Sequence, residues 1–171
     1  MSENSLQPVV IEEVAVRPFE AADTEAVQWL YENGLLEGQI PMGDTGADID
    51  NIEQAYIEPA RNGFWVAEYG GEIVGMVCVA EGDRNLAEIR RLRVQPDRQR
   101  QGIGIMLMEQ AVQFCHHHGY LKVVLDTRIK RGPAEEIFDK FAFQHNRTKE
   151  VNGKELLEFY LDLYREVKNE E

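Results

Sequence analysis

The chain reads as an α/β domain in which a mixed sheet carries helices on both faces, with the element order β-α-α-β-β-β-α-β-α-β-β. Three observations carry that reading. Two strand-like runs, 64–68 and 73–80, flank Tyr69-Gly70-Gly71-Glu72, whose glycines can take the positive φ of a tight hairpin. Two more glycines, Gly102 and Gly104, stand where a strand gives way to a strongly periodic helix. The run 121–127 carries Leu121, Val123, Val124 and Leu125 and reads as a strand buried on both faces.

Residues 1–11 lack periodicity and read as a flexible arm, so 12–171 form a single domain. A first strand covers 14–19, and Asp23-Thr24 caps a helix through Val27, Leu30 and Tyr31 to about Leu36. The stretch 38–48, with Pro41, Gly43 and Gly46, is a loop; a second helix over 49–60 carries Ile52, Ala55, Tyr56 and Ile57. After the hairpin, 87–94 is a strand closed by Pro96-Asp97. The next helix sets Gly104, Leu107, Met108, Ala111 and Cys115 on one face, and Gly119 ends it. Pro133 opens a last helix to Phe141. Runs 143–148 and 156–164 close the fold as an antiparallel pair around Asn152-Gly153.

Composition narrows the function. At 171 residues one domain can bury a proper core. No apolar run approaches the roughly 20 residues of a membrane span, and the polar N-terminus is no signal peptide. Cys78 and Cys115 both lie in patterned segments and read as buried free thiols, which points to a reducing, cytoplasmic setting. Their spacing suggests no metal site, and three consecutive histidines, His116-His117-His118, point in different directions on a helix and cannot converge on one ion. A net charge of −13 disfavours nucleic acid and anionic membranes as partners. The charge is also uneven: thirteen acids and one base precede Arg61, whereas Arg84, Arg90, Arg91, Arg93, Arg98 and Arg100 crowd the middle.

Those arginines surround Gln99-Arg100-Gln101-Gly102-Ile103-Gly104. The free N–H groups of a first helical turn and the helix dipole favour an anion there, and a glycine lets that anion approach the backbone. A phosphate or pyrophosphate is the simplest ligand. A P-loop would need Lys and Ser or Thr after the glycine, where Ile105-Met106 stand. A dinucleotide fingerprint would need glycine at Leu107 and no polar segment 95–101 after the strand, although Asp126 falls roughly 20 residues on, where a ribose-binding acid would sit.

A third pattern fits better. Leu92-Arg93-Val94-Gln95-Pro96 followed by Gln99-x-x-Gly102-x-Gly104 resembles the signature of the GNAT superfamily of acetyl-coenzyme A-dependent N-acetyltransferases. Arg131-Gly132-Pro133-Ala134-Glu135-Glu136-Ile137-Phe138-Asp139-Lys140-Phe141-Ala142-Phe143 keeps register with a second block of that family, with Arg131 for its asparagine, Phe138 for its tyrosine and Ala142 for its glycine. The resemblance covers nearly the whole chain. It implies a mixed, mostly antiparallel sheet flanked by helices on both faces.

It also implies the chemistry. Acetyl-coenzyme A is the expected cosubstrate: Leu92, Arg93 and Val94 would hold its pantetheine, and Gln99, Arg100, Gln101, Gly102, Ile103 and Gly104 its pyrophosphate. Glu88 stands at the interval of the base used in the histone-acetylating branch, on a strand face shared with Arg90. Phe138 has no proton to give a leaving thiolate; Tyr120 and Tyr160 are the substitutes to consider. The acceptor would be an amine. The acid-rich first helices, with Glu32, Glu37, Asp44, Asp48, Asp50 and Glu53, suit a small amine, a polyamine or a lysine side chain. Family members often form homodimers. Two other readings stay open: a non-catalytic acyl-coenzyme A-binding regulatory module, and a dinucleotide-binding enzyme.

Overall fold

The computed structural model describes residues 7–36, 44–127, 133–151 and 153–164. Strands β1 (Ala15–Pro18), β2 (Gly63–Tyr69), β3 (Glu72–Glu81), β4 (Leu86–Val94), β5 (Lys122–Thr127), β6 (Gln144–Val151) and β7 (Lys154–Asp162) form one sheet in the order β1-β2-β3-β4-β5-β7-β6. Only β4 and β5 run parallel; every other pair is antiparallel. The mixed, mostly antiparallel sheet expected from the sequence is therefore present. A dinucleotide-binding fold needs a mostly parallel sheet, so that reading loses its scaffold.

The helices are α1 (Thr24–Asn33), α2 (Ala47–Asp50), α3 (Ile103–His117) and α4 (Pro133–Lys140). The sheet separates two apolar cores. On one face α3 lays Leu107, Met108, Ala111 and Cys115 over Val77, Val79, Ile89 and Val123, and α4 adds Ile137 and Phe138. On the other, Val27 and Leu30 of α1 and Ile49 of α2 pack with Tyr56, Phe64, Met76 and Cys78. Full burial of one such aliphatic side chain stabilises by about 1.5–3 kcal/mol, so α3 is fastened through its whole length. Gly70 and Gly71 take φ +59° and +80° in the hairpin turn between β2 and β3, the conformation that two-residue turns demand.

Several boundaries differ from expectation. The second helix is not continuous over 49–60: α2 stops at Asp50, and a separate wide turn of π type, Glu53–Ile57, comes after it. Asn51 causes the break, because its side-chain Nδ2 donates to Ala47 O at 2.9 Å and its backbone leaves the helical region. The first helix ends at Asn33 rather than near Leu36, since Gly34 and Leu35 turn to meet β4. Val9, Val10 and Ile11, read from the sequence as part of the flexible arm, are held by bonds to the domain. Val9 N–H donates to Gln101 Oε1 at 2.5 Å, Val10 N–H donates to the Tyr69 hydroxyl at 3.2 Å, and Ile11–Glu13 form a 3-10 turn. Pro41, Gly43, Glu37, Arg131, Gly132 and Asn152 lie outside the described residues.

Candidate active site

The sheet opens in its middle. β4 and β5 pair only from Leu86–Lys122 to Glu88–Val124, and beyond Glu88 the two strands part. Among the described residues, the edge of β4 from Ile89 onward is thus left without a strand partner on the β5 side, as far as a bridge between Arg93 and Leu35. Unpaired backbone N–H and C=O groups within a sheet require other partners.

A bulge shapes that edge. Arg93 pairs with Met76 and Arg90 with Cys78, so three steps along β4 match two along β3, and Arg91 takes φ +59°. Val94 N–H turns away from β3 to donate to Gly34 O at 3.0 Å. Ladder alternation then directs Arg93 to β3 and leaves the Arg91 and Leu92 peptide units bordering the split. The extra residue also reverses the facing of the rest of β4. Ile89 and Val94, five residues apart, both enter the α3-side core, whereas Arg91 and Arg93 both reach Tyr31 of α1.

The arginines of β4 differ sharply in environment. Arg91 donates to both oxygens of Asp44 and to both of Asp48, the latter at 2.6 and 3.0 Å. Burial works against its charge, but the two carboxylates hold its pKa above the ordinary arginine value. Burial likewise opposes ionisation of Asp44 and Asp48, and the Arg91 hydrogen bonds outweigh it and keep both below the usual carboxylate range. The acidic wall expected from the sequence is therefore neutralised at these two positions. Arg93 is 7 % exposed and bonds only backbone among the described residues, Nη1 to Leu92 O at 3.2 Å and Nε to Tyr31 O at 3.4 Å. Burial first, and then the neighbouring Arg91, push its pKa down to about 10.

Glu88 stands at the fork of the split. Arg90 grips both of its carboxylate oxygens, Nε to Oε1 at 2.9 Å and Nη2 to Oε2 at 3.1 Å.

The glycine loop begins where β4 ends. The first-turn N–H groups of Ile103, Gly104 and Ile105 precede the first intrahelical bond, Met106 N–H to Gly102 O, and no side chain caps the helix. Arg98 lies over the Tyr69 ring at 5.3 Å, and its buried Nε has no hydrogen-bond partner among the described residues. Arg100 is exposed at φ +63°. Gln99 braces the loop, its Nε2 donating to Leu35 O and Val94 O at 3.2 and 3.1 Å. Gln101 holds Val9. The glycines have a reason that sequence reading missed. A Cβ on Gly102, which sits at φ +99°, would meet Ile11, and one on Gly104 would meet Ile137 Cδ1 at 2.6 Å. Close packing bears on both, and the left-handed backbone adds its own requirement at Gly102.

The remaining candidates have partners of their own, and Tyr160 lies on β7 beside Val124, the residue of β5 that pairs with Glu88. Phe138 is a core residue packed on Phe143 and Phe159. The Tyr120 hydroxyl donates to Arg61 O at 2.6 Å near the far end of α3, and burial pushes its pKa up to about 12. Tyr160 donates to Gln144 Oε1 at 2.8 Å. His118 stacks on Phe114 and bonds its carbonyl at the C-terminus of α3. Cys78 and Cys115 are free and fully buried.

The sequence that builds this opened parallel pair, the bulge at its edge and the helix N-terminus at its end matches a known family model. The Acetyltransferase (GNAT) family model covers residues 24–143. The chain belongs to that family. It is 32% identical over 99 residues to the N-acetylaspartate synthetase of Rattus norvegicus, covering 57% of this chain and 33% of that one. It is 33% identical over 102 residues to N-acetyltransferase 8 of the same species, covering 57% and 46%. The chain thus spans between a third and a half of the length of these curated relatives. A GNAT-family acetyltransferase from Staphylococcus aureus superposes with a TM-score of 0.71 at 16% identity, covering 88% of this chain and 99% of that one, and shares the fold. No described helix is long and apolar enough to cross a membrane.

Proposed function

We propose that this chain transfers an acetyl group from acetyl-coenzyme A to the primary amine of an acceptor that carries a carboxylate. The observation that carries the transfer is the split between β4 and β5, with β4 peptide groups that β5 does not pair on one side and the start of α3, capped by no described side chain, at its end. Acetyl-coenzyme A supplies an activated thioester; its phosphates suit the N–H groups of Ile103 and Gly104. Gln99, Arg100, Gln101 and Gly102 shape that loop, and Leu92 to Val94 line the way to it. The Arg91 and Leu92 peptide units border the place where the acyl carbonyl would sit. Oriented N–H donors at that position are commonly worth about 3–4 kcal/mol each in acyl transfer.

An amine acceptor arrives mostly protonated, since its pKa is about 10. Glu88, at the fork, takes that proton directly or through water on a lone pair that Arg90 leaves free. The carboxylate on the acceptor is supported by Arg93, a buried guanidinium without a carboxylate partner among the described residues, beside a carbonyl that borders the split. Buried charges are ordinarily paired. A relative named for an acetylated aspartate agrees with that chemistry. Neutralisation of Asp44 and Asp48 by Arg91 removes much of the case for a polyamine. A cytoplasmic location fits the two buried thiols, and a homodimer is the assembly that we would test first by light scattering.

Calorimetric titration with acetyl-coenzyme A, on the wild type and on Gly102→Glu, tests the cofactor site. Micromolar binding lost in the variant is the expected result, followed by turnover of L-aspartate or L-glutamate above spermidine. The tight pairing of Glu88 with Arg90 favours a second reading, a non-catalytic acyl-coenzyme A-binding module. Tight binding without turnover across an amine panel would establish it instead.

A further inference from the structure

Arg91 is an unexpected residue for its place. Its backbone lies in the left-handed region at φ +59°, where glycine would be less strained. Its side chain explains its presence. One guanidinium spans two carboxylates, and each of them is held a second time. Asp48 Oδ2 accepts the Tyr56 hydroxyl at 2.6 Å, and Asp44 Oδ1 accepts Gly46 N–H at 3.1 Å. The Tyr31 ring lies under the same guanidinium, 4.9 Å from its centre, and also packs against Gly46, where a Cβ would come within 2.9 Å of it. Residues 44–48 are therefore fastened to the bulge through a single side chain, with α1 beneath.

We propose that Arg91 is a positioning residue: by anchoring the bulge to Asp44 and Asp48, it sets the direction in which the Arg91 and Leu92 peptide units face the split, and so polarises an acyl carbonyl seated there. A bulge re-aims the backbone only if something holds its twist, and here the hold comes from 43 and 47 residues away in the chain. The same link ties the wall of the acceptor side to the acyl side. The inference rests on acetyl-coenzyme A occupying the split, as proposed above.

The test uses acetyl-coenzyme A labelled with 13C at the acetyl carbonyl and needs no known acceptor. Infrared difference spectra of the bound ester are compared for wild type, Arg91→Gly, Arg91→Lys and Asp44→Asn/Asp48→Asn. In the wild type the carbonyl stretch moves below its value in water. In Arg91→Gly and in the double asparagine variant it returns toward that value, while the dissociation constant for acetyl-coenzyme A stays within about threefold; Arg91→Lys recovers part of the shift. Once an acceptor is in hand, kcat falls by about tenfold or more with the KM for acetyl-coenzyme A unchanged. Arg91→Gly relieves the backbone strain but leaves Asp44 and Asp48 without their cation, so circular dichroism checks its fold, and Asp44→Asn/Asp48→Asn, which leaves no carboxylate unpaired, repeats the test. A carbonyl shift that persists in Arg91→Gly overturns the inference and leaves the acetyltransfer reading intact. Failure of the wild type to bind acetyl-coenzyme A overturns both.

Discussion

Ile11 lies against Gly102: a Cβ built on that glycine would stand 3.2 Å from Ile11 Cδ1. The contact joins the start of the chain to the turn that opens α3. Val9 and Val10 add hydrogen bonds to Gln101 and Tyr69 on either side. The loop is thus covered by chain that precedes the first strand.

Gly102→Ala is expected to lower stability by about 1–2 kcal/mol, because an L-residue at φ +99° is strained and the new methyl presses on Ile11. Urea denaturation measures this. Ile11→Ala combined with Gly102→Ala should recover only the steric part. Full recovery would mean that the positive φ carries no cost.

Gly104 makes a complementary case. Its missing side chain lets Ile137 of α4 approach, where a Cβ would sit 2.6 Å from Ile137 Cδ1. Gly104→Ala alone should destabilise by about 1 kcal/mol or more through overpacking, offset in part by alanine's better helix propensity. Ile137→Val removes the clashing methyl. In that background Gly104→Ala should be neutral or stabilising by up to roughly 1 kcal/mol. Additive effects of the two substitutions in thermal melts would contradict the contact.

The fold was largely legible, because its signals are local. The Gly70-Gly71 turn and the period of α3 each specify their element without help from distant residues. β5 is a strand as expected, but of residues 122–125 only Val123 and Leu125 are buried, so it is not buried on both faces. The misses were long-range or carried by one side chain. Asn51 breaks a helix that its apolar neighbours favour, by bonding Ala47 O. The bulge at Arg91 has no glycine to announce it, since its left-handed backbone is held by aspartates far away in sequence. Counting acids along the first helices could not reveal that Asp44 and Asp48 belong to an arginine of β4. The glycine loop was recognised, but for an incomplete reason. Its glycines answer Ile11 and Ile137 as well as any anion.

Glu88→Gln keeps the side-chain shape and one acceptor for Arg90 but cannot take up a proton. A fall in kcat of about 100-fold or more is expected, with acetyl-coenzyme A affinity unchanged by calorimetry. Undiminished turnover would transfer the role of base to water or to another group.

Cys78 and Cys115 are fully buried, and burial raises both thiols, Cys115 to about 12. Thiolate is the reactive form. A disulfide-exchange reagent at pH 8 should therefore titrate no thiol in the native protein and both of the 2 cysteines after unfolding. Fast native reaction of either would show that its core opens locally.

Acid stability isolates a separate site on β7. Burial opposes the charge on Glu158, but hydrogen bonds from Lys149 and Asn146, with Arg147 nearby, hold its pKa down to about 2. The reference value is 4.5. A group whose pKa is lower in the folded state contributes stability that is fully present above its unfolded value and is lost as pH falls through the folded one. The contribution of Glu158 should thus be constant above pH 4.5 and disappear between there and about pH 2. Asp23, Asp44 and Asp48 are also held low by arginines and lose stability in acid, so the wild type alone cannot separate them. The difference between wild type and Glu158→Gln does. In urea unfolding at successive pH values, that difference should hold level near neutrality and shrink below pH 4.5. A difference that stays constant into strong acid would mean that Glu158 stabilises β6 and β7 through packing and neutral hydrogen bonds rather than through its charge.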